Sequence, residues 1–107
     1  MTEGRKDDAG KARIELWPPE AITALAEIMT FGAAKYGDRN WEKGMAWGRL
    51  YGAAMRHLWA WWKGEEADPE SGRSHLCHAG CCIVFLIALE ARKKGTDDRP
   101  GKRADHG

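Results

Sequence analysis

Apolar residues recur at helical spacing in three stretches of this chain, separated by glycine-bearing polar segments. In the first, Ile22, Leu25, Met29, Gly32 and Tyr36 follow one another at intervals of three and four, the period of an α-helix. Pro18 and Pro19 suit its first turn, and Gly37 stops it. The second stretch runs from about Trp47 to Lys63, with Gly64 behind it. Tyr51, Met55, Leu58 and Trp62 form one stripe, and Leu50, Ala54, His57 and Trp61 the adjacent one. So wide an apolar arc predicts a helix covered on two sides. The third stretch starts behind Ser74, a plausible N-cap. It runs to about Lys94, with Arg92, Lys93 and Lys94 complementing the helix dipole and Gly95 as stop. Its middle, residues 81–87, is apolar all round and could form a buried strand by composition, but its length and terminal charges favour a helix.

The pattern predicts an all-α fold: a small bundle of about three main helices. Residues 1–10 and 95–107 are rich in glycine and charge, lack apolar periodicity, and read as flexible tails around a helical domain at 11–94. A core of this size is marginal alone. Six tryptophans add more apolar area than a small monomer easily hides. The core is therefore expected to be completed by homo-oligomerisation, as a dimer or tetramer.

Charge and cysteine content narrow the partners. A net charge of +1 favours neither nucleic acid nor a membrane surface. The basic run from Arg92 toward Arg103 is interrupted by Asp97 and Asp98, which weakens a nucleic-acid reading. The longest apolar run, Ala79 to Leu89, is too short to span a bilayer, and the polar N-terminus is no secretory signal. Cys77, Cys81 and Cys82, odd in number and clustered, make no disulfide framework. They read as small buried hydrophobes in a reduced, cytoplasmic protein.

The candidate chemistry lies between the second and third helices. Asp68 and Glu70 sit in a Pro/Gly loop that runs straight into His75 and His78. Three residues apart on a helix, those histidines are neighbours on one face. His57 lies on the core side of the second helix. These five residues are a candidate divalent-metal set: the carboxylates favour magnesium or manganese, the imidazoles zinc. Cys77 and Cys81 share a helical face but lack the paired zinc-site spacing. No adjacent His-Asp pair, phosphate loop or nucleophile elbow is present. Upstream lie the cations Lys11, Arg13, Lys35, Arg39, Arg49 and Arg56. Cations facing an acid-held metal are the two halves of a triphosphate site. Tyr36, Asn40 and Trp41 stand close by and could take a sugar or a base.

The series Lys11-x-Arg13-x-Glu15-Leu16-x-Pro18-Pro19-Glu20-Ala21, Phe31-Gly32-Ala33-x-Lys35-Tyr36-Gly37-Asp38-Arg39-Asn40-Trp41, Arg56-His57-Leu58 and Gly64-Glu65-x-x-Asp68-x-Glu70-Ser71-Gly72-x-x-His75-Leu76-x-His78-Ala79 resembles the phage-type dATP/dGTP diphosphohydrolase domain. The resemblance covers roughly Lys11 to Leu89. It implies hydrolysis of a purine deoxynucleoside triphosphate, dGTP or dATP, to the monophosphate and pyrophosphate. It also suggests kinship with the all-α MazG-like pyrophosphohydrolases, magnesium-using dimers or tetramers with E-x-x-E and E-x-x-D helix motifs. This chain departs from that pattern, since its second helix has no acid pair.

The expected enzyme is a dNTP pyrophosphohydrolase that uses Mg2+ or Mn2+. Asp68, Glu70, His75, His78 and His57 would hold the ion, or in the case of the histidines orient its ligands. Lys35, Arg39 and Arg56 would bind the phosphates, with Lys11 and Arg13 as weaker candidates. The rival reading is a non-catalytic oligomeric helical module with a structural metal site.

Overall fold

The computed structural model describes residues 4–103. Residues 1–3 and 104–107 of the expected tails lie outside the described residues. A short 3-10 turn at Ile14–Leu16 precedes α1 (Pro19–Tyr36). A second 3-10 turn, Asn40–Lys43, joins α1 to α2 (Trp47–Trp62), which is followed by α3 (His75–Arg92) and the short α4 (Pro100–Arg103). No strand occurs among the described residues, so the fold is all-α.

The helix limits follow from local chemistry. Pro19 opens α1, and the Gly37 N–H closes it onto the Ala33 carbonyl. Gly37 takes φ 97°, which a side chain would resist. The Ser74 hydroxyl oxygen accepts the Leu76 N–H and caps α3. α3 ends at Arg92, two residues before the expected Lys94, because Lys93 turns left-handed at φ 53°.

α3 is the central helix. It packs along α2 as an antiparallel hairpin and against α1 on its other side. Close approach to α1 requires Gly80, where a Cβ would lie 2.8 Å from Leu25 Cδ2. The Cys81 thiol donates to the Leu25 carbonyl one residue further on. Ile28, Leu50, Ala54, Ala79, Cys81 and Leu89 form the core. By length and composition alone α3 is long and apolar enough to cross a membrane. The run at residues 79–89 stays short of that length by itself; the helix reaches it only with residues 75–78 and 90–92 added. In this fold the same apolarity lets one helix serve two neighbours.

Two expectations change on packing. The α2 arc is covered on only one side within the chain: Leu50 and Ala54 are buried, whereas Tyr51, Trp59 and Trp62 are exposed. The C-terminal segment is also not a free tail from residue 95. Thr96 pairs with Ala46 in a short parallel bridge. The Trp47 N–H donates to the Thr96 carbonyl, and the Thr96 N–H to the Met45 carbonyl. The Trp47 indole Nε1–H donates to the Lys94 carbonyl at 2.9 Å. Gly95, at φ 86°, passes so close to the Met45 backbone that no side chain fits there.

Candidate functional site

The site is built on the loop between α2 and α3. One Asp68 carboxylate oxygen accepts the backbone N–H groups of Glu70 and Ser71, an Asx turn that folds the loop back on itself. The Gly72 N–H donates to the Asp68 carbonyl, and the Asp68 N–H to the Arg73 carbonyl. Arg73 pairs with Glu27 of α1 at 2.8 Å, tying the loop to the first helix. Ala67 bridges Ser74 and so closes the loop across the start of α3.

This closure brings three histidines together. His75 is almost fully buried, at 3% exposure. Its Nε2 donates to a Glu65 carboxylate oxygen at 2.6 Å, and its Nδ1 lies 2.9 Å from His57 Nδ1. The His57 and His78 rings stack at 4.6 Å, while Phe31 meets His78 edge-on. His78 Nε2 is hydrogen-bonded to the Ser71 hydroxyl at 2.6 Å and lies 3.8 Å from Asp68.

Electrostatics follows from this crowding. Burial, reinforced by His78 and His75 alongside, pushes the His57 imidazole below its usual range. Burial likewise lowers His78, against the pull of Asp68. For Asp68 burial acts upward, but the Ser71 N–H and the neighbouring His78 and His57 outweigh it and hold the carboxyl below its ordinary value. The pocket therefore favours neutral imidazoles beside an ionised carboxylate, the protonation states in which those groups ligate metal.

His57, Asp68 and His75 each offer one ligand atom, and all three atoms lie within 4.8 Å of one another. Two ligands on opposite sides of one ion at ~2.1 Å span ~4.2 Å, so sub-ångström shifts would close the set. Two imidazole nitrogens and a carboxylate are divalent-metal ligand types, and the residues fit such an ion.

The other two expected ligands are not among these three, although His78 adjoins them, 3.8 Å from Asp68. Glu70 instead accepts from Lys35 Nζ at 2.6 Å in an exposed pair. The Asx turn that brings Asp68 inward leaves the residue two places on facing α1. His78 is held by Ser71 and the ring stack, as a support to His57. The sequence reading assigned no role to Glu65 or Ser71. Glu65 stands there only in the series that carries the resemblance, and its contact with a residue ten positions on depends on the loop's closure.

The pocket opens into a cleft of about 1540 Å3, lined among others by Lys35, Tyr36, Arg39, Asn40, Trp41, Arg56, His57, Asp68, Glu70 and His78. Arg49, one helical face with Arg56, lines it too. Among the described residues no carboxylate pairs with Arg49 or Arg56. Lys35 is raised above its ordinary pKa, chiefly by the Glu70 hydrogen bond, and sits 5.2 Å over the Tyr36 ring. Arg39 holds a left-handed φ of 54° at the start of the second 3-10 turn and faces Glu42. Trp41 is stacked on Phe85 at 5.0 Å, with Arg92 over its ring, so its faces are engaged within the chain. Lys11 and Arg13 are not brought to the cleft: both are exposed, and Arg13 pairs with Glu15. The cysteines stay free thiols. Burial pushes Cys81 up to about 12, which keeps it an inert, protonated core residue.

No solved structure matches this chain. A dATP/dGTP diphosphohydrolase of Salmonella phage PMBT28 is 34% identical over 110 residues, covering 97% of this chain. The chain spans 38% of that relative's length. The family described as dATP/dGTP diphosphohydrolase, N-terminal, matches residues 1–99, a range that takes in the cleft, the histidine pocket and the docked segment after α3. On that match the chain belongs to the dATP/dGTP diphosphohydrolase N-terminal domain family.

Proposed function

We propose that this chain carries a metal-dependent hydrolytic site for a purine deoxynucleoside triphosphate, dGTP or dATP, releasing the monophosphate and pyrophosphate. The observation that carries the reading is the convergence of His57, Asp68 and His75 beside a cleft lined by Lys35, Arg39 and Arg56. The phage relative's name supports the substrate class.

His57, Asp68 and His75 would hold a divalent ion, manganese or magnesium. When bound, such an ion supplies Lewis acidity and lowers the pKa of its water. Arg56 and Arg49, free of carboxylate partners among the described residues, donate to the phosphate oxygens. Lys35 and Arg39 close on the same chain of phosphates, Lys35 after exchanging Glu70 for substrate. Preorganised cations of this kind offset charge that grows on the departing pyrophosphate. His78 and Ser71 keep the His57 ring in place. Tyr36 and Asn40, which line the cleft, contact the sugar or base. Trp41 supports the wall through its stack on Phe85.

Self-association belongs to the same reading. Tyr51, Trp59, Trp62, Ile83 and Ile87 are 46–81% exposed as part of the larger set of exposed apolar side chains on α2 and α3. A second copy covering this apolar surface would complete the core and leave the enzyme a cytoplasmic oligomer.

The test is product analysis with each dNTP and NTP, with manganese, magnesium or chelator. Metal-dependent formation of dGMP or dAMP with pyrophosphate is the expected result. Absence of turnover with every nucleotide, alongside one tightly held zinc per chain, would favour a structural metal module instead. Light scattering on the same sample reads the oligomeric state.

A further inference from the structure

Resting on the metal-dependent reading above, we infer that the His57–Asp68–His75 pocket selects a first-row transition ion over magnesium through two imidazole nitrogens, and that Glu65 is the positioning residue that aims them.

The argument starts from the 2.9 Å separation of His57 Nδ1 and His75 Nδ1. Two imidazole nitrogens approach this closely only around a shared proton or a shared cation. A carboxylate can only accept, so Glu65 at 2.6 Å requires a hydrogen on His75 Nε2. In neutral His75 that leaves a lone pair on Nδ1, pointing at His57. The ring has no room to turn, since His75 is 3% exposed. His57 is held from its other side by the stack on His78, with the planes 12° apart. Ser71 fixes His78 in turn. Without an ion, His57 Nδ1 supplies the hydrogen shared between the two nitrogens; a cation takes the place of that proton, and both rings are already held around the same point.

The spacing suits ligation. Two ligands at right angles, each ~2.1 Å from an ion, lie ~3.0 Å apart. Asp68 adds the third donor from the loop. Two nitrogens and one carboxylate suit the transition ions, whose affinity for imidazole rises along the first row. Magnesium prefers oxygen donors in a near-ideal octahedron and gives up its water reluctantly. Glu65 then completes a carboxylate–histidine–metal arrangement, in which the outer carboxylate fixes the tautomer and raises ligand basicity.

Glu65 is well suited to a test. Its side chain is 52% exposed, so its removal leaves the core intact. Titrate the intact chain, without nucleotide, with Co2+ and separately with Mg2+, following the visible absorption of bound cobalt and the heat of binding. One Co2+ per chain, held on the order of 100-fold more tightly than Mg2+, is expected. Glu65→Ala should weaken Co2+ binding by about 10- to 100-fold with unchanged helical content. Glu65→Gln, which keeps an acceptor oxygen, should recover most of the loss. Mg2+ binding as tight as Co2+, or a Glu65→Ala protein that binds Co2+ like the parent, would overturn the inference. Tight cobalt binding without turnover of any nucleotide upholds this site and removes the proposed reaction. Turnover supported by Mg2+ that displaces Co2+ at equal concentration does the reverse.

Discussion

Lys35 Nζ lies 2.6 Å from a Glu70 carboxylate oxygen, joining the last turn of α1 to the loop before α3. The pair stands at the edge of the cleft, 43% and 61% exposed at the side chains. It engages Glu70 away from the His57–Asp68–His75 group and holds Lys35 at the cleft. An exposed pair of this kind adds little to stability. Glu70→Gln should therefore leave the urea midpoint almost unchanged and divalent-ion affinity intact, while freeing Lys35 for substrate. A metal titration of the variant checks this, and a large loss of ion affinity would return Glu70 to the ligand set.

Asp68 behaves oppositely, because one carboxylate serves two purposes. It accepts two backbone N–H groups of the turn and supplies the oxygen donor of the pocket. Asparagine keeps an acceptor oxygen but loses the charge. Asp68→Asn should therefore retain the turn and the helical content seen by circular dichroism, and lower turnover by about 100-fold or more. Near-parental turnover would contradict the metal-site reading.

The contrast between these two acids shows what the sequence makes legible. Helix limits were readable because glycine stops, the proline start and the Ser74 cap act locally. The loop around Asp68 was readable from Pro69 and Gly72, and the turn it holds is equally local, since its bonds reach only two or three residues. Glu70 was not, because a turn decides which side of the loop each acid faces, and one residue's difference reverses the direction. Glu65 and His75 meet only after Ala67 and Ser74 have bridged the loop. The docked segment after α3 was hidden for a related reason. It is held by Met45 and Trp47 backbone groups and the Trp47 indole, and hydrophobic periodicity carries no record of such partners.

That segment carries a pH signature. Asp97 receives two hydrogen bonds from the Arg99 guanidinium and one from the Arg99 N–H. The guanidinium pulls its carboxyl down to about 2, from 3.8. A folded pKa below the unfolded one means the unfolded chain binds the proton more readily as pH falls. The pair's contribution is thus complete above pH ~4 and is lost as pH drops through ~2. A carboxyl NMR titration of the native protein should give an Asp97 midpoint near 2, and Arg99→Ala should return it toward 3.8. A midpoint at the ordinary value in the parent would show that the two side chains do not pair in solution.

Asp98, one residue on, caps a helix from outside its own sequence. Ala46 stands at the N-cap of α2 and its methyl group offers no acceptor. The Asp98 carboxylate, 50 residues away in sequence, accepts the Gly48 N–H at 2.8 Å in its place. The absence of a Cβ at Gly48 is what admits it, since a side chain there would meet that carboxylate at 2.8 Å. A negative charge at this end also complements the helix dipole. Asp98→Ala should destabilise the protein by about 1 kcal/mol, the usual cost of losing a cap, with Asp98→Asn closer to the parent. Truncation after Gly95 should cost more, because the Thr96 carbonyl and the Arg99 contact with the Trp47 ring go with it. Urea unfolding of the three variants gives the order directly. A free tail would make all three equal to the parent, whereas a docked cap ranks them Asn, Ala, truncation. Because α2 carries His57 and Arg56, the same series read by metal titration shows how far the capped end steadies the pocket.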